Sequence, residues 1–152
     1  MHDTNKSDST IQRLAENSIF ALIKAKLGED LEQGKRLYLP DHTHSYIQPD
    51  FYSERACILG EIFAHVGKPK KAQNNKIAND ILKMLTYEEL THITFRKIIA
   101  VCDPEEYTAL QGHSVLAEAI RTFGIQLMYI PISEELYDQL QSAQKRQKMV
   151  NW

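Results

Sequence analysis

Two nearly unbroken apolar runs set the terms for this chain: "RKIIAVCD" from Arg96 to Asp103 and "IQLMYIPI" from Ile125 to Ile132. A strand with apolar side chains on both faces needs cover on both faces, and the common solution is helices packed above and below a sheet. Helical spacing duly surrounds both runs. "STIQRLAENSIFALIKAKLGEDLE" repeats apolar residues at Ile11, Leu14, Ala15, Ile19, Leu22 and Ile23, with Ser9 or Thr10 as its N-cap and Gly28 near its close. The same period returns through Ala72, Ile77, Ile81, Leu82 and Leu85. "HSVLAEAIRTFG" predicts a helix opened by Ser114 and closed by Gly124, and "SEELYDQLQSAQKRQKMVNW" a terminal helix opened by Ser133 with acids in its first turn.

Three further strands come early. "KRLYLP" is stopped by Pro40, a second strand runs from about Tyr46 to Ser53 after the polar loop "DHTHS", and a third from about Ala56 to Ala64. The order α-β-β-β-α-β-α-β-α predicts an α/β fold with a central mixed sheet flanked by helices. At 152 residues the chain reads as one domain over residues 11–152 behind a disordered polar leader at 1–10. A net charge of −2, with 43% hydrophobic and 25% charged residues, argues for no nucleic-acid or membrane partner at the level of the whole chain. No apolar run approaches the roughly 20 residues that cross a bilayer, and the leader lacks the apolar segment of a secretion signal. A cytoplasmic protein is expected. Cys57 and Cys102 fall in apolar runs without a CxxC pair, which suits free thiols in a reducing compartment.

Two acids break the apolar pattern. In "PDFYSERACILGEIFAHVGK", residues 49–68, Asp50 and Glu61 stand where Ile, Leu and Phe dominate. A buried charge calls for a hydrogen-bonded partner, a metal or a shifted protonation state. A tight turn centred on Glu54 and Arg55 would pair Ser53 with Ala56 and Asp50 with Leu59. Leu59, Glu61 and Asp50 then share one face, with the two acids diagonal neighbours roughly 7–8 Å apart. Two carboxylates so placed can both reach one divalent cation. A one-residue bulge would send one of them to the other face.

The stretch "PDFYSERACILGEIF" resembles the core of the PD-(D/E)XK nuclease superfamily: a Pro-Asp on one strand, a short hairpin, then an acid within an apolar strand. The helix-first order matches that superfamily's αβββαβ core, and the likeness covers roughly Ile11 to Ile132. The resemblance implies a restriction-endonuclease-like fold and metal-dependent hydrolysis of DNA. Asp50 and Glu61 would hold Mg²⁺ or Mn²⁺, the backbone carbonyl of Ile62 would complete the metal shell, and Glu16 on the first helix matches the extra acid many members place there. A homodimer is the corresponding expectation for cutting both strands of a duplex.

The superfamily's lysine is missing. It should stand two residues after the second acid, where this chain has Phe63. Gln73, Lys76, Asp80 and Lys83 form one helical stripe at i, i+3, i+7 and i+10, and some members of the superfamily carry the lysine or a functional glutamine on this helix. By that resemblance Lys76 replaces the lysine and Gln73 orients it or binds water. A solvated helix face is the plain reading of the same stripe. Loss of the lysine also fits a catalytically silent binding or scaffolding protein. Between Lys68 and Lys97 there are seven basic residues and three acids, a local excess suited to a nucleic-acid backbone.

Other chemistry has less support. His42, His44 and His65 lack the spacing of a zinc site, and no Gly-rich phosphate loop follows a strand. Trp152 ends a basic tail, open to partner contact or disorder.

Overall fold

The structure is a computed structural model that describes residues 7–28, 30–40 and 44–150. Residues 1–6, His42 and Trp152, on which parts of the leader, zinc and tail expectations rest, lie outside the described residues. Helix α1 spans Asp8–Leu27. Ser7, not Ser9 or Thr10, caps it by accepting from the Thr10 N–H. The helix therefore begins inside the stretch expected to be a leader. Its buried stripe is Ile11, Ala15, Ile19 and Ile23, at the i, i+4 spacing that puts one residue above another.

Short strands follow: β1 (Glu32–Gln33), β2 (Leu37–Tyr38), β3 (Tyr46–Ile47) and β4 (Phe51–Ser53). Then come β5 (Ile58–Phe63), α2 (Lys71–Thr91), β6 (Arg96–Val101), α3 (Pro104–Ala109), α4 (Val115–Thr122), β7 (Gln126–Tyr129) and α5 (Glu134–Val150). The fold is α/β, with a central five-stranded sheet in the order β1-β4-β5-β6-β7. Its first two pairings are antiparallel and its last two parallel. No described helix is long and apolar enough to cross a membrane.

Three sequence expectations need correction. The strand expected from Tyr46 to Ser53 is two strands in different sheets, because β3 pairs with β2 in a separate ribbon while β4 joins the central sheet. The strand in "KRLYLP", β2, lies in that ribbon, and the edge of the central sheet is β1 (Glu32–Gln33), a strand the sequence did not announce. Helix α3 was not anticipated; Asp103 caps it through the Glu105 N–H, with Pro104 at its first position, a start signal that six residues of weak period had hidden.

Helices cover both faces. Against α1 and α5 the sheet presents Phe51, Ile58, Ile62, Ile98 and Ala100. Against α2 and α4 it presents Tyr52, Leu59, Phe63, Ile99 and Val101. Odd-numbered side chains of β5 thus face α2.

Candidate active site

The β4–β5 hairpin decides where the acids go. Its register is Ser53 with Ile58, Tyr52 with Leu59 and Phe51 with Gly60, two residues away from the tight-turn expectation. The loop closes differently because Cys57 adopts a left-handed φ of 53° and the Ser53 hydroxyl accepts from the Ala56 N–H. Gly60 locks this pairing: a Cβ there would fall 2.0 Å from the Phe51 ring. A shift of two preserves which face each residue occupies. Continued by one residue, this register sets Asp50 directly across from Glu61, not diagonal to it.

The Asp50 carboxylate also extends the β4–β5 pairing beyond the start of β4. Its Oδ2 accepts from the Ile62 N–H at 2.7 Å, where β4 has not yet begun and offers no strand carbonyl. In an extended strand a residue's N–H and C=O leave the same edge. The Ile62 carbonyl therefore opens toward Asp50.

Glu61 is buried, 8% exposed. Burial first, then the charges of Asp50 and Asp80, push its carboxyl up to about 10, and the Asp50 and Glu61 carboxyls stand close enough to share a proton. Lys76 pulls in the opposite direction. Glu16 is half-buried and its carboxyl is raised, mainly by burial; Gln12, which donates to its Oε2 at 3.4 Å, opposes the shift, and Asp50 adds to it. Asp80 is buried, and burial raises it against the pull of Lys76 and Lys83. The Lys76 ammonium lies 5.0 Å from the centre of the Phe63 ring and acts electrostatically on Glu16, Glu61 and Asp80. Lys76 and Lys83 are exposed and Lys83 pairs with Asp80, as a solvated face would have them, but Asp80 is buried and the Lys76 ammonium lies against the ring at the strand position that lacks a lysine.

Gln73 lines the adjoining cleft, but its Oε1 is committed to the Lys70 backbone N–H at 3.0 Å, closing the start of α2. The basic excess is smaller than its count. Lys97 is buried against Glu88 at 2.7 Å, and Lys83 leans on Asp80 at 4.0 Å.

Asp80 was missed as a member of this cluster. Its signal is in the sequence, since Ile77, Asp80, Ile81 and Met84 occupy one buried stripe of α2 at i, i+3, i+4 and i+7. Among the described residues no group of three or more His, Cys, Asp and Glu is arranged to hold a metal ion. A cation here would thus draw on two carboxylates and a main-chain oxygen. That donor set is all oxygen and suits a hard divalent ion. It also fits an electrostatic need, because a cation would take the place of the proton that Glu61 otherwise retains. His44 is exposed, and His65 turns to Glu106 at 3.3 Å.

Comparison of the chain with protein-family models, with curated proteins and with solved structures finds no match.

Proposed function

We propose that this protein is a metal-dependent nuclease that hydrolyses phosphodiester bonds in DNA, a divergent relative of the PD-(D/E)XK superfamily. One observation carries the reading. The β4–β5 register, continued by one residue, sets Asp50 opposite Glu61 where β4 begins, and the Lys76 ammonium lies over Phe63, the position that lacks the superfamily's lysine. Mg²⁺ or Mn²⁺, when bound, lowers the pKa of a water and neutralises developing charge. Asp50, Glu61 and the Ile62 carbonyl would hold it. Lys76 would stabilise the attacking hydroxide and the phosphate as the water oxygen bonds to phosphorus and one P–O ester bond breaks, the leaving oxygen taking its proton from solvent. Glu16 and Asp80 keep negative potential on the pocket, and Glu16 assists proton removal from the water. A homodimer would present two such sites to the two strands.

Phe63 favours a second reading, a silent nuclease fold kept for binding or scaffolding. Two measurements separate them. Calorimetric titration with Mn²⁺ should show binding in the parent and none in Asp50→Asn or Glu61→Gln. A supercoiled-plasmid assay should then show metal-dependent nicking lost in both variants. Binding without nicking selects the scaffold; no binding in the parent removes the metal site.

A further inference from the structure

Beyond Phe63 the chain forms a cleft of about 500 Å³ whose wall includes Lys70, Lys76, Lys148, His65 and four glutamines. No carboxylate lines it among the described residues. Three lysines and amide side chains without an acid make a setting for a negatively charged ligand.

His65 occupies this wall in an over-determined position. Its carbonyl accepts from the Cys102 thiol at 3.6 Å. The next residue, Val66, is clamped at both backbone groups by the Gln144 amide, at 3.0 and 2.9 Å. Gly67 donates to Asp103 Oδ2 at 2.7 Å. The β6–α3 connection and helix α5 thus fix a segment that has left the strand. The imidazole Nδ1 is buried 3.3 Å from Glu106 Oε2, and Glu106 is fully buried on α3. Neither Glu106 oxygen nor Nδ1 completes a hydrogen bond among the described residues. The side chain keeps 15% exposure, the residue lines the cleft, and Nε2, unlike Nδ1, is not among the buried unpartnered atoms.

A buried carboxylate with no other partner favours a cation beside it. Burial leaves the Glu106 carboxyl raised above its ordinary value although His65 pulls against it, and Asp103 adds to the rise. The charged and titratable groups around the imidazole are then Glu106 on α3, Cys102 and Asp103 after β6, Lys70 and Lys76 on the α2 side, and Lys148 on α5. α1 contributes only the neutral Gln12 to the cleft.

We propose that this cleft binds a backbone phosphate of a nucleic-acid strand next to the one being cut, with His65, positioned by Glu106, as its protonation-dependent contact. The identity of the ligand rests on the nuclease reading; the existence of an anion subsite does not. An imidazole changes charge between about pH 5 and 8, whereas lysines stay charged there. Strand affinity should therefore fall as pH rises, even with no metal present.

The test is calorimetric titration of the full chain in EDTA at pH 6 and pH 8. The probes are an oligothymidylate without terminal phosphates and, separately, sulfate, since neither changes charge in this range. The parent should bind oligothymidylate about tenfold more weakly at pH 8, the value of one charge-assisted contact. His65→Gln should bind equally at both pH values, at the parent's pH 8 level. Glu106→Gln should lose most of the pH 6 advantage while circular dichroism stays native; a purely structural role would weaken binding equally at both. If Glu106→Gln does not fold, His65→Gln decides alone. Equal affinity of the parent at both pH values, or unchanged pH dependence in His65→Gln, overturns the proposal. Sulfate binding without oligothymidylate binding overturns the strand assignment and leaves a site for a free tetrahedral anion. Asp50→Asn should keep the pH-dependent binding, so failure of the metal site and failure of this subsite are read apart.

Discussion

Glu61 and Glu106 are the two buried glutamates among the described residues, and they meet opposite neighbours. Glu61 faces Asp50 and Asp80, so burial and like charge act together. Glu106 faces His65, so burial is opposed by a base within 3.3 Å. The difference teaches that burial alone marks neither a metal site nor a structural pair; the sign of the neighbouring charge does. One carboxylate is left wanting a cation from solution, and the other has a base at hand inside the fold.

Neutralising each in turn is the sharpest way to break the comparison. Glu61→Gln should lower metal-dependent DNA nicking by at least about 10²–10³-fold, measured on supercoiled plasmid. The same change should stabilise the metal-free protein. Glu61 holds its proton up to about 10 in the folded chain, against 4.5 when unfolded. A raised carboxyl contributes its full stability below the unfolded value and loses it progressively as pH climbs toward the folded one. At pH 7 that loss is about 3 kcal/mol, so denaturant melts should show Glu61→Gln more stable by that order, with a flatter pH profile. Glu106 is raised too, but His65 offsets part of the burial, so Glu106→Gln should stabilise clearly less than Glu61→Gln because it also gives up the His65 contact. If the two variants stabilise equally, the contrast drawn from their neighbours is wrong.

Metal binding should sharpen it further. Because a cation must displace the proton on Glu61, Mn²⁺ affinity should rise with pH between about 6 and 9, toward the value near 10, by up to about tenfold per pH unit. About one proton should be released per ion, read from calorimetry in buffers of different ionisation enthalpy. A pH-independent affinity would place the ion elsewhere.

Much of this architecture was legible in the chain and part was not, for identifiable reasons. The doubly covered run at Ile98–Val101 announced the sheet, and the Ile11, Ala15, Ile19 stripe announced α1; the run at Leu127–Tyr129, expected to be a buried strand, is instead the half-buried edge strand β7, with Tyr129 exposed. The pairing of Asp50 with Glu61 came through a wrong turn because a shift of two residues leaves every side chain on its own face. The shift itself was hidden in a long-range packing event: the Phe51 ring lies over Gly60, and no local pattern encodes which glycine accepts which ring. Asp80 was readable from its place between Ile77 and Ile81, had its stripe been taken as the buried one. Glu106 was not readable, since its six-residue helix is too short to show a period and its partner His65 lies 41 positions earlier. The short pairing of β2 with β3 was equally closed to inspection, as two-residue strands carry no alternation.

Lys76 tests how far a borrowed cation can stand in for a strand lysine. Lys76→Ala should reduce nicking by about 10²-fold and leave Mn²⁺ binding in place, separating charge stabilisation from metal capture. The smaller effect lies underneath it. Phe63 is nearly buried, and its ring face meets the Lys76 ammonium at 5.0 Å. Such a contact is worth about 0.5–1 kcal/mol at a partly exposed site, enough to bias a flexible lysine toward the acids without fixing it. Phe63→Leu keeps an apolar side chain against α2 but removes the ring face, so nicking should fall only about two- to fivefold. Phe63→Tyr, which keeps the ring, should stay near the parent. If leucine there costs as much as Lys76→Ala, Phe63 supports the site through packing rather than through the cation. If leucine costs nothing, the acids alone hold Lys76 in place, and the missing lysine was replaced by charge attraction without help from the aromatic ring.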